Sequence, residues 1–317
     1  MKKTILTIVC LLGILSVNAQ TAKIALQHNG YVTLYDANQM EDALKASVDG
    51  DTIYLNEGTF TGNVTIDKKV SVIGSGVATM YEGSITVSIP GSPTLTAHLL
   101  DAIYFKNSIT IAQPLNGLKI RKCQFNGLVF NAKTEDITID RCYSRGNSSN
   151  PLQLSANVKK MTVLNSKIYD VVGDVKNPGD ASFVNCNIYY MYNYSSCCRA
   201  TYMNCIIGNW YSYSNNYLEN TTYVNCLCGS SFYGKSVNQN CWNANNTNII
   251  NNSTNCTFTD DQLRSDGYLG TDGTVVGITG GTTPFTLEPS VPKVTDYTIK
   301  VDTQTKKLNV NIKVKAN

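Results

Sequence analysis

Histidine is nearly absent from this chain of 317 residues: His28 and His98 are the only two, and both lie far from the cysteines. No Cys-x-x-Cys pair occurs, so the spacing that builds zinc sites is missing and no metal site is expected. Charge is scarce as well: charged residues make up 15%, the net charge is +3, and lysine and arginine are scattered. Neither a nucleic-acid surface nor attraction to an anionic membrane follows from that. Beyond the N-terminus no apolar run approaches the ~20 residues that a spanning helix needs, so no transmembrane segment is expected.

What is present begins with a leader. Lys2 and Lys3 precede an apolar run from Ile5 to Val17, and Val17-Asn-Ala19 is a small-residue cleavage site. Residues 1–19 therefore read as a secretory signal peptide. Cys10 lacks the small neighbours of a lipoprotein cleavage site. The mature chain is expected to be exported, to the periplasm, the outer surface or the medium. The default reading of cysteine in such a chain, which has 11, is disulfides.

Their placement argues otherwise. Six segments repeat one pattern: Leu118–Phe125, Ile137–Cys142, Met161–Ile168, Ala181–Ile188, Ala200–Ile207 and Thr221–Cys228. Cys123, Cys142, Ser166, Cys186, Cys205 and Cys226 recur about every twenty residues, the period of a solenoid. Alternation with period two sends Ile120, Ile139, Val163, Phe183, Tyr202 and Tyr223 inward. A corner column follows, reading Lys122, Arg141, Asn165, Asn185, Asn204 and Asn225. Asparagine suits a corner because it tolerates the left-handed backbone, and its amides are expected to bond from coil to coil.

After the corner the cysteines turn inward, then Phe125, Ser144, Ile168, Ile188, Ile207 and Cys228. A third strand shows as Ile109/Ile111, Leu128/Phe130 and Leu152/Leu154. In this stacking the cysteines are small core residues. Cross-coil disulfides stay open as the alternative, with Cys197, Cys198, Cys241 and Cys256 the better candidates because they lie off the column. The outward columns change character. Arg121 and Asp140 give way to Leu164, Val184, Met203 and Val224, while Gln124, Tyr143, Lys167 and Asn187 give way to Ile206 and Leu227. An apolar outer face is usually covered, here either by the C-terminal segment or by a protein partner.

Upstream, Asn38–Ser47 reads as a helix with Asn38 as its cap. Three short strands follow, Thr52–Leu55, Val64–Ile66 and Val70–Ile73. The stretch GDTIYLNEGTF…NVTIDKKVSVIGSG resembles the opening coil of the pectin-lyase-like superfamily, notably pectin methylesterases and secreted bacterial β-helix proteins. The resemblance covers roughly residues 38 to 260 and implies an all-β, right-handed single-stranded parallel β-helix. Residues 20–47 would form its N-terminal cap and 48–281 the β-helix. In 282–317, a linker with Pro284, Pro289 and Pro292 precedes alternating segments at Asp296–Asp302 and Lys307–Val314, read as a C-terminal β-hairpin.

Chemistry is harder to find. The later motifs of pectin methylesterases are missing, and polygalacturonase-like enzymes would need a Gly-His-Gly that the chain lacks. Pectate-lyase-like enzymes need carboxylates for calcium and an arginine or lysine base. Only for these is there material, in Asp140, Arg141, Arg145 and Asp170 as catalytic candidates, with calcium as the cofactor of that alternative alone.

A different signal comes from tyrosine: there are 19, and more than half fall between Tyr189 and Tyr233. Rings stack on sugar C–H faces while amides bond hydroxyls, so Tyr192, Tyr194, Trp210, Tyr211, Tyr213 and Tyr217 are the candidate ligand-binding residues for a polysaccharide or glycan. Bracing of long loops by stacked rings is the competing reading. The expected function is therefore non-catalytic glycan binding by an exported protein. A polysaccharide lyase and a structural or adhesive surface protein are the alternatives.

Overall fold

An alternating segment becomes a wall only when neighbours pair in register, and here they do so over many coils. The computed structural model describes residues 22–96, 99–146, 152–173, 180–193, 199–212, 221–229, 237–245, 248–251, 253–289, 293–302 and 307–315. One parallel ladder runs Ile53, Val72, Leu100, Ile120, Ile139, Val163, Phe183, Tyr202, Tyr223, Asn238. A second face runs Phe125, Ser144, Ile168, Ile188, Ile207, Cys228, Asn243. A third begins at Val64, Ile85 and Ile109 and continues through Leu128, Leu152, Val171, Met191 and Trp210. The fold is thus an all-β parallel β-solenoid.

The core lies inside these three walls. Ile120, Ile139, Val163, Phe183, Tyr202 and Tyr223 are each 0% exposed, as the alternation requires. Phe183, Tyr202 and Tyr223 stack with ring centroids 4.9 and 5.2 Å apart, one ring per coil. In the early coils the second and third faces are separate strands, such as Gln124–Phe125 and Leu128–Phe130. From Lys167–Gly173 onward they fuse into one longer strand, repeated at Asn187–Asn193 and Ile206–Ser212.

The corner column adopts the left-handed conformation at every rung, with φ between 43° and 54° from Lys122 to Asn225. This turns each corner N–H toward the next coil. Arg141 N donates to Leu164 O at 3.0 Å, Asn165 N to Val184 O at 3.0 Å and Asn204 N to Val224 O at 2.9 Å. The backbone, not an amide ladder, joins the corners. Of the expected side-chain rungs, only Asn225 Nδ2 to Asn204 Oδ1 at 3.3 Å forms, whereas Asn165 Nδ2 donates to Gly280 O at 2.9 Å. The expected ladder fails because the segment around Gly280 lies against the corner and takes up the amide.

All eight described cysteines are free, including Cys241 and Cys256; Cys197 and Cys198 lie outside the described residues. Those of the column are buried, and their thiols repeat one bonding pattern. Cys186 Sγ donates to Val184 O at 3.3 Å and Val163 O at 3.4 Å; Cys205 Sγ donates to Met203 O at 3.2 Å and Phe183 O at 3.4 Å. Ser166 Oγ donates to Leu164 O at 2.6 Å, so a hydroxyl fills the same post. The position selects a small side chain with a donor, which is why cysteine and serine interchange there.

Both ends hold elements the repeat does not foretell. Lys23–His28 and Tyr31–Asp36 pair antiparallel, and the first of them also pairs antiparallel with Thr52–Leu55. The helix spans Met40–Ala46 and buries Met40, Ala43 and Leu44. Its N-cap is Gln39, not Asn38; the Gln39 side chain accepts from Asp36 N at 2.9 Å and caps nothing in the helix. Near the other end Lys293–Asp302 pairs antiparallel with Lys307–Lys315.

Of the late outward columns, the chain itself covers that of Ile206 and Leu227, whereas Leu164, Val184, Met203 and Val224 stay half-buried. Ile206 and Leu227 are 1% and 0% exposed beneath a second apolar cluster of Ile249, Ile250, Leu263, Val275 and Val276. Leu263 comes from a helix, Asp260–Ser265, closed by a capping box between Thr259 and Gln262. The same segment is pinned along the stack. Asn187 Nδ2 donates to Thr254 O at 3.3 Å, Gly277 N to Asn204 O at 2.8 Å, and further along Leu287 passes beside Gly76.

Candidate functional site

The four carboxylate and basic candidates do not converge. Register places Asp101, Arg121 and Asp140 in one outward column of the first face. Arg121 also stacks directly beneath Asp140 in the next coil. Yet Arg121 Nη2 donates to Asp101 Oδ2 at 2.6 Å in the preceding coil, and Arg141 Nη2 donates to Asp140 Oδ2 at 2.6 Å. Arg145 turns the other way, its Nη1 donating to the Tyr104 hydroxyl at 2.7 Å with the guanidinium 5.6 Å from that ring. Asp170 is 0% exposed, and among the described residues neither of its oxygens has a hydrogen-bond partner. Burial pushes its carboxyl up to about 7, because an apolar surrounding penalises the charged form. Among the described residues no group of three His, Cys, Asp or Glu could hold a metal ion, so the calcium alternative finds no donor set there.

Tyrosines do gather on the outer side of the second face. Tyr104, Gln124, Tyr143 and Lys167 occupy one column on successive coils. Beside it Tyr169 and Tyr189 lie 5.0 Å apart, Tyr169 and Tyr190 5.6 Å, and Tyr189 and Tyr190 4.1 Å, with the two last hydroxyls bonded at 3.3 Å. The rings are tilted to one another at 51° to 73°, so they make a faceted wall rather than a stacked column. Tyr143, Tyr169, Tyr189 and Tyr190 are all half-buried, and Tyr189 packs against the apolar cluster of Ile249 and Ile250. Burial, then Tyr189 and Asp170, raises the Tyr169 phenol, so it stays a neutral donor.

The row was only partly readable in advance. The second outward column already contained Tyr143, but Tyr104 and Tyr169 lie far apart in sequence and meet this face through register alone. Of the loop aromatics, Tyr194, Tyr213 and Tyr217 lie outside the described residues. Tyr192 pairs in register with Tyr211, in the column next to that of Trp210. Trp210 pairs with Met191, which pairs with Val171, and those two are buried.

Lys167 marks where this row meets the covering segment. Its ammonium lies 4.7 Å from the Phe285 ring centre and bonds Asn255 Oδ1, and burial lowers its pKa. No helix among the described residues is long and apolar enough to cross a membrane. Compared with protein-family models, curated proteins and solved structures, the chain matches none.

Proposed function

We propose that this chain is an exported bacterial β-solenoid that binds glycans or envelope polysaccharide along its second face, without catalysis. The observation that carries the reading is the row of half-buried tyrosines, Tyr143, Tyr169, Tyr189 and Tyr190, flanked by Tyr104 and Arg145 on neighbouring coils. Tyr143, Tyr169 and the Tyr189–Tyr190 pair stand on three successive coils about 4.8 Å apart, so aromatic edges and faces recur along the face that an extended saccharide would follow. Arginine and amide groups beside the rings supply hydroxyl contacts.

The finer architecture belongs to the same proposal. The solenoid is right-handed and pectin-lyase-like, the helix Met40–Ala46 closes the N-terminal end of its core, and Lys293–Asp302 with Lys307–Lys315 forms a terminal hairpin. The leader, and with it export to the periplasm, the outer surface or the medium, is read from residues 1–19.

Retention of the purified protein on a panel of immobilised neutral and acidic polysaccharides tests the function. Tyr169→Ala and Tyr189→Ala should each weaken retention about tenfold, since a stacked ring contributes roughly 1–1.5 kcal/mol. If both variants bind as the wild type does, or no polysaccharide is retained, the reading is wrong. A lyase is the second reading, and one observation favours it: an unpartnered carboxyl near neutrality, Asp170, beside Tyr169. Release of unsaturated uronate that disappears in Asp170→Asn would replace binding by catalysis.

A further inference from the structure

We propose that the strand Tyr31–Asp36 is a self-association edge, at which two copies of this chain join by antiparallel pairing about a two-fold axis. The first face does not end at Thr52–Leu55: Lys23–His28 adds to it, and Tyr31–Asp36 adds to that. Among the described residues Tyr31–Asp36 pairs on one side only, with Lys23–His28, and that register runs unbroken. Tyr31 is 80% exposed and Leu34 43%. The strand reads Tyr-Val-Thr-Leu-Tyr-Asp, with no lysine, proline or bulge of the kind that blunts a free edge. Its single charge, Asp36, pairs back with Lys23. At the opposite end of the same face the last described strand, Val237–Gln239, has three residues against six.

The hairpin fixes what this edge can offer. Asn29 and Gly30 turn it with φ of 46° and 82°, the left-handed pair of a type I′ turn. In such a two-residue turn the flanking His28 and Tyr31 exchange backbone bonds, and every second pair does so after them. Tyr31, Thr33 and Tyr35 therefore bond toward Lys23–His28, while Val32, Leu34 and Asp36 turn their N–H and C=O outward. Asp36 is already taken: its N donates to Gln39 Oε1 at 2.9 Å, and its O accepts from Gln39 N at 3.0 Å. Val32 and Leu34 remain. The register that satisfies both at once in a second copy sets Val32 opposite Leu34, Thr33 opposite Thr33 and Tyr31 opposite Tyr35. Aromatic and Thr–Thr cross-strand pairs of this kind stabilise antiparallel sheets. The edge is self-complementary, as a two-fold contact demands. Six residues a side is fewer than the roughly 20–30 of a standard interface, so the dimer is weak and concentration-dependent. The edge lies apart from the tyrosines of the second face, so it stands whether or not they bind sugar.

Sedimentation velocity of the purified protein over about a hundredfold concentration range tests it. The wild type should pass from monomer to dimer. Val32→Pro removes an outward N–H and leaves the hairpin's own bonds in place, so it should weaken association about tenfold or more. With oxidised glutathione present, Thr33→Cys should give a disulfide-linked dimer: two thiols lose two protons and two electrons, and glutathione disulfide is reduced to two thiols. Leu34→Cys should crosslink far more slowly, because Leu34 meets Val32 and not itself, whereas the non-hydrogen-bonded Thr33 pair brings its Cα atoms to about 4.5 Å. In the wild type, hydrogen exchange at the Val32 and Leu34 amides should slow as concentration rises. That readout needs no variant to fold. A monomer throughout, equal association by wild type and Val32→Pro, exchange that ignores concentration, or equal crosslinking by the two cysteine variants would each overturn the proposal. So would a ladder of larger species, which would mean head-to-tail stacking onto Val237–Gln239 instead.

Discussion

The early coils and the late coils share one interior and differ in what they turn outward. At Ile120 and Ile139, as at Tyr202 and Tyr223, the inward column is fully buried, and every corner between them is left-handed. Outside, the same column holds Gln124 and Tyr143 in the early coils and Ile206 and Leu227 in the late ones. The early side stays open and carries the ion pairs together with Tyr104 and Tyr143. The late side is roofed by residues 249–278. The inner register is common scaffold, so the two regions can diverge outside without disturbing each other's core. This is the independence expected when each coil touches only its neighbours.

The largest test of that contrast is a matched pair in one column. Leu227→Ala removes a side chain that is 0% exposed beneath Ile249 and Ile250 and should cost about 3 kcal/mol by denaturant unfolding. Gln124→Ala, in the same column of an early coil, should stay within about 0.5 kcal/mol. Equal costs would mean that the roof contributes nothing.

Asp170, on the strand where the second and third faces first fuse, gives a pH test. Its folded carboxyl titrates at about 7, above the ordinary carboxylate range, so the folded state holds a proton that the unfolded state has released. Stability should therefore fall as pH rises from about 4 to about 7 and level off above, by roughly 3 kcal/mol from this group. Asp170→Asn should remove that slope and unfold later than the wild type at pH 8. An unchanged slope in the variant would show that burial of Asp170 does not govern it.

Smallest is the exchange inside the column shared by both regions. Cys205→Ser copies what Ser166 already does and should cost about 1 kcal/mol or less. Cys205→Val, which fills space without a donor, should cost more because the thiol's bonds to Met203 O and Phe183 O are lost. Thermal midpoints in the reverse order would make packing, not the donor, the reason for cysteine.

Register was legible because it rests on local alternation and a regular period: the inward residues of all six repeats and the left-handed corner could be read from the chain. The Asp260–Ser265 helix was missed, although Thr259-Asp-Asp-Gln262 spells a capping box. The tyrosine row was legible only in part. Its members Tyr104 and Tyr169 gain their meaning from which coil stacks on which.

By itself, then, the sequence determined the solenoid, its inner columns and the thiol and asparagine positions, because each depends on side-chain size and backbone tolerance at a repeating place. Only the tertiary structure decided two things: that the Asn165 amide bonds the covering segment instead of the next rung, and that Arg121 chooses Asp101 over Asp140. Those outcomes turn on which of several partners within reach approaches closest, and distance between coils is set by packing, not by neighbourhood along the chain.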